Sequence, residues 1–116
     1  MPAFWRTAIP RRELKQRLSN VDLTKISKHL LRWPDKARIL GLTESEVEDI
    51  REDYRNSNEL QKSAMMRRWG EKNGGRANLK VLLAIAERHG WTEFIRDVCK
   101  ERGYVGTYMQ FYRFSL

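Results

Sequence analysis

Apolar residues recur at helical spacing in six stretches between residues 22 and 102. Leu23, Ile26, Leu30 and Leu31 follow Asp22, a favourable N-cap, and predict a first helix. Trp33-Pro34 ends it, because the residue before a proline is pushed out of the α region. Pro34 then suits the first turn of a short second helix over about 35–40, and Gly41 supplies its left-handed C-terminal cap. Thr43 with Glu46 three residues on is a capping box, opening a third helix to about Tyr54 with Val47, Ile50 and Tyr54 inward. Asn56 to Asn58 break the pattern. A fourth helix runs from about Glu59 to Lys72, with Met65, Met66 and Trp69 on one face. Lys62 shares that side, so its stem packs while its charge reaches water. Asn73-Gly74-Gly75 is a turn. The fifth helix, from about Ala77 to His89, buries Leu79, Leu82, Leu83, Ile85 and Ala86 and stops at Gly90. Thr92 caps a sixth over 93–102, with Phe94, Ile95 and Val98 inward, and Gly103 ends it.

The flanks are less regular. Phe4, Trp5, Ile9, Leu14 and Leu18 are scattered among basic residues without a clean period. Arg11 to Leu18 suits a basic helical extension, but residues 1–21 as a whole read as a partly ordered tail. Tyr104, Tyr108, Phe111, Tyr112 and Phe114 make 104–116 an aromatic tail suited to packing back or to a short strand. The expected division is a basic N-terminal extension at 1–21, a helical bundle at 22–103 and the aromatic C-terminal tail at 104–116. Trp33, Leu40, Ile50, Trp69 and Leu82 are the expected core anchors. A 116-residue chain buries roughly two thirds of its unfolded surface, enough for one core without staples.

The net charge of +8 raises the prior for nucleic acid or an anionic surface, but its distribution alters that picture. Residues 1–21 carry five basic residues and one acidic, and residues 22–54 six basic and eight acidic. Residues 55–76 carry six basic and two acidic, and 77–103 are nearly balanced. An acidic block followed at once by a basic one suits a protein that binds copies or relatives of itself. The single cysteine, Cys99, excludes an internal disulfide and fits a reducing compartment, with the cytoplasm as default. No apolar run approaches the ~20 residues a membrane span needs, and no apolar stretch near the start suggests a secretory signal. Catalysis has little to stand on. His29 and His89 lie on different predicted helices, and one cysteine with two histidines at no motif spacing makes no zinc site. No glycine-rich loop follows a strand. No metal, cofactor, membrane or small-molecule substrate is therefore expected.

The order of short motifs carries a resemblance. Trp33-x-x-x-Ala37-Arg38-x-Leu40-Gly41-Leu42 is followed by Met65-Met66-x-x-Trp69, then by Ala77-Asn78-Leu79 and Leu82-Leu83. Over residues 23–102 the chain resembles a death domain, an all-α, six-helix antiparallel Greek-key bundle of apoptotic and innate immune signalling. Lys36 stands where the family usually has a leucine, and Ala86 where a larger aliphatic is usual. The resemblance implies a non-enzymatic adaptor or interaction module whose partners are other death-fold proteins, copies of itself included. It further implies assembly through unlike patches, with helices two and three of one copy against helices one and four of the next. The chain would serve as a small adaptor, a regulator that caps assemblies, or part of a larger receptor or kinase.

The competing reading is a basic helical nucleic-acid-binding protein. Ala37, Gly41 and Val47 have the spacing of a DNA-binding helix-turn-helix. The helix from Thr43 would then enter the major groove bearing six acids and one Arg, against one phosphate charge per roughly 1.7 Å of duplex. The sign is wrong, so nucleic acid is not the expected partner of that helix. The expected acidic patch is Glu44, Glu48, Asp49, Glu52 and Asp53. The expected basic patch is Arg55, Lys62, Arg67, Arg68, Lys72 and Arg76.

Overall fold

The structure is a computed structural model describing residues 4–104. Among these residues it forms eight α-helices and no β-strand. The helices are α1 (Trp5–Ala8), α2 (Arg11–Lys15), α3 (Asn20–Ser27), α4 (Trp33–Ile39), α5 (Glu44–Asp53), α6 (Asn58–Asn73), α7 (Leu79–Arg88) and α8 (Thr92–Glu101), with a 3₁₀ turn at Gly74–Arg76 between the sixth and seventh. None is long and apolar enough to cross a membrane.

Their ends follow from local chemistry. Ser19 and Asp22 exchange hydrogen bonds in a capping box, so Asp22 is the box's third residue and Ser19 is the N-cap of α3. That helix stops at Ser27, which leaves Leu31 61% exposed instead of inward. Left-handed Arg32 breaks the chain, and Trp33 is already helical, so the break precedes Trp33-Pro34. Past α4, Gly41 has φ of +102°, and its N–H donates to the Arg38 carbonyl at 3.1 Å. The next N–H, of Leu42, reaches back to Ala37 at 2.9 Å, completing a Schellman cap that a residue with a Cβ would strain. Thr43 and Glu46 form the predicted box at the start of α5. Asn78 caps α7 through Val81. Thr92 is not the N-cap of α8: it is the first residue of the helix, and the N-cap is Trp91.

Residues 17–77 form one compact unit, containing α3 to α6. Trp33, Leu40, Ile50 and Trp69 are buried in it. The longest helix, α6, presents Met65, Met66 and Trp69 inward and packs along α3. Gly70 permits that approach, because a Cβ there would come within 2.8 Å of Leu23 Cδ1. The Thr24 and Ser63 hydroxyls share a hydrogen bond of 3.2 Å across the same contact. The Trp33 indole N–H donates to Gln61, whose amide donates to the Tyr54 carbonyl. Lys36 donates to the Leu31 carbonyl.

The second unit comprises residues 1–16 with 78–116, of which 4–16 and 78–104 are described. Here the expectation of a partly ordered N-terminal tail fails. Phe4, Trp5, Ile9 and Leu14 are all buried, alongside Leu82 and Val98 of this unit. The segment hides its period because it is two short helices reset at Ile9-Pro10. The α2 helix packs on α7, the Trp5 indole N–H donates to Glu87 at 3.1 Å, and Glu13 accepts from Arg102 at 2.7 Å and the Tyr104 hydroxyl at 2.9 Å. Ala86 is fully buried and Ile85 half-buried. Tyr108, Phe111, Tyr112 and Phe114 lie outside the described residues.

Candidate functional site

The α5 helix buries Val47 and Ile50, and its 3.6-residue period turns Glu48, Asp49 and Glu52 away from that face. Its two edges are occupied internally. On the α4 edge, the Arg38 guanidinium grips both carboxylate oxygens of Glu44, at 2.7 and 2.8 Å, and holds that carboxyl below its ordinary pKa. The same guanidinium reaches Asp35 at 3.0 Å. Arg51 pairs with Glu48 at 3.2 Å. Asp49, Glu52 and Asp53 are exposed, and no ion pair among the described residues engages them.

On the α6 edge lies a clamp invisible in the sequence. Lys72 Nζ donates to Glu46 at 2.7 Å and to the Gly41 carbonyl at 3.1 Å, tying α6 to both the α4–α5 turn and the α5 capping box. Arg68 adds a longer contact to Glu46 at 3.9 Å. The Lys72 hydrogen bond first, and the Thr43 backbone N–H second, pull the Glu46 carboxyl down to about 2. Glu46 keeps only 18% of its side chain exposed.

The six expected basic residues are not gathered into one patch. Arg68 and Lys72 face α5, and Lys72 is held by Glu46. Arg67 faces α3, where it donates to Ser63 at 2.5 Å. Lys62 is half-buried on α6, Arg55 sits in the turn after α5 and Arg76 in the 3₁₀ turn. A shallow groove between α3 and α6, of about 400 Å³, is lined by Asn20, Val21, Thr24, Lys25 and Arg67. Val21 is 65% exposed there. Val21 belongs to α3 but precedes the Asp22 cap expected from sequence, so the sequence reading left it outside the helix.

The described residues bring no three His, Cys, Asp or Glu side chains together to hold a metal. Cys99 is buried, and burial pushes its thiol up to about 12, so it stays protonated at neutral pH.

The family model of the Death domain matches residues 20–100, well over half of the chain. The chain belongs to the death-domain family. Its fold is the all-α death fold, and it is a protein-interaction module of the kind that binds other death-fold domains. No curated protein and no solved structure matches the chain. The match begins at α3 and ends in α8, so α1 and α2 of this death domain lie outside it.

Proposed function

We propose that this death domain is a non-enzymatic signalling adaptor that acts in the cytoplasm. It binds other death-fold domains, copies of itself included, and relays apoptotic or innate immune signals. The observation that carries the reading is the outer face of α5: Asp49, Glu52 and Asp53 stand exposed without internal ion pairs, while Glu44 and Glu48 beside them are partly neutralised. The complementary basic groups lie on two sides of α6: Arg68 on the side toward α5, and Arg67 at the groove toward α3. Arg55, Lys62 and Arg76 are further basic residues of the same unit, outside a single patch with these; Lys72 contributes least, because Glu46 already holds it. An acidic face of one copy meeting a basic face of another is a heterologous contact, which builds rings or open helices. Each exposed pair contributes only ~0–1 kcal/mol, so affinity comes from several pairs and from repetition. The same acids oppose a phosphate backbone, which disfavours nucleic acid as the partner of α5.

The test is sedimentation velocity of the full chain across a concentration series, with nuclease present. Glu52→Lys and Arg68→Glu should each reduce self-association while the circular dichroism spectrum is unchanged. Full association in both variants would sink the assigned faces.

A further inference from the structure

The N-terminal helices bring cations to one place. Arg6 of α1, Arg11 and Lys15 of α2 and Lys80 of α7 line a half-open cleft of about 300 Å³. Trp5 and Leu14, 1% and 6% exposed, complete the lining. The Arg6 guanidinium lies 4.4 Å from the centre of the Trp5 ring, a cation–π contact that holds it over the apolar wall. Arg11 and Lys15 are one turn apart on a five-residue helix, where like charges repel.

No ion pair among the described residues engages any of the four. Of the carboxylates that this unit places against α1 and α2, Glu13 holds Arg102 and Tyr104, and Glu87 accepts from the Trp5 indole at the edge of the cleft without lining it. The cleft therefore concentrates four positive charges against one neighbouring carboxylate, an excess of positive charge. An anion entering it would relieve that repulsion and meet an apolar wall that weakens competition from water.

We propose that this cleft binds a small ligand bearing clustered phosphate groups, free in solution or as a lipid headgroup. Two guanidinium forks match phosphate oxygens in pairs, and two ammonium groups add point charge. A single carboxylate would balance only one of four cations. The cleft is at the small end of ligand sites, which suits a phosphorylated small molecule and not a folded protein. Three of its four cations precede the family match at residues 20–100, and the proposal stands apart from the interaction faces of α5 and α6.

The experiment is calorimetric titration of the full chain with inorganic tripolyphosphate at physiological ionic strength. A parallel arm measures co-sedimentation with phosphatidylcholine vesicles, with and without phosphatidylinositol 4,5-bisphosphate. One-to-one binding is expected. Arg11→Gln/Lys15→Gln should weaken it about tenfold or more, the loss of two charge-assisted contacts. Arg55→Gln/Arg76→Gln, which removes the same charge far along the sequence, should weaken it by less than about threefold. Lys80→Gln, on a different helix, should also lose affinity, which guards against a folding effect in α2. Vesicle binding with the same dependence assigns the ligand as a headgroup, and tripolyphosphate binding alone assigns a free anion. Absence of saturable binding to either probe, or equal weakening by the two double variants, would overturn the site.

Discussion

The unit of residues 17–77 and the unit of residues 4–16 and 78–104 treat their charges in opposite ways. In the first, nearly every acid on an edge of α5 is engaged: Glu44 by Arg38, Glu48 by Arg51 and Glu46 by Lys72. What the outer face of α5 keeps exposed and outside these pairs is acidic, at Asp49, Glu52 and Asp53. In the second, Glu13 is held by Arg102 and Glu87 accepts from the Trp5 indole, while four cations that line one cleft, Arg6, Arg11, Lys15 and Lys80, are in no ion pair among the described residues. The lesson is that a charge run in sequence is not yet a surface. Helix register and neighbouring elements decide which members neutralise one another, and the remainder is what a partner meets.

The largest expected effect tests whether the cleft has a rigid wall. Trp5→Ala should cost about 3–5 kcal/mol in urea unfolding, as for truncation of any well-buried Trp. A change within about 0.5 kcal/mol would return residues 4–16 to a loose tail and remove the contrast between the units. Next in size is the clamp of the first unit. Glu46→Gln keeps an acceptor for the Thr43 N–H but removes the ion pair to Lys72, and should cost up to about 1 kcal/mol.

The clamp also predicts a pH dependence. The Glu46 carboxyl lies at about 2 in the fold against an ordinary 4.5, so folding favours its ionised form. That contribution is complete above pH 4.5 and declines as pH falls toward 2. Unfolding midpoints of wild type and Glu46→Gln should therefore converge across this window. A gap that stays constant would mean that the carboxylate is not clamped. The smallest effect is on the cation side. Arg11→Gln/Lys15→Gln should leave stability unchanged or raise it by about 0.2–0.5 kcal/mol, since an i, i+4 repulsion is removed. A clear loss would show those cations to have internal partners.

The helical order was readable from apolar spacing, and the Thr43–Glu46 box and Gly41 cap were readable from residue type alone. The α4–α5 motif is local, so sequence suffices for it. Of the N-terminal helices, α2 was legible only as a helical extension over Arg11 to Leu18; α1 and the burial of both were not, because four- and five-residue helices never establish a period and the packing partner of α2 is more than 60 positions away. The same distance hid the clamp: Glu46 and Lys72 are 26 residues apart, and both look like surface charges. Gly70 was a missed clue, because a glycine within a helical pattern costs about 1 kcal/mol and marks a close approach, here to Leu23.

The central claim, that unlike faces of this death domain join copies of it, is tested most directly by a mixing experiment. Glu52→Lys and Arg68→Glu are prepared separately and their sedimentation is measured alone and combined at equal concentration. The account predicts weak association of each alone and recovery on mixing, since each reversed face then finds its reversed complement. Weak association that persists in the mixture, with both variants folded, would contradict it.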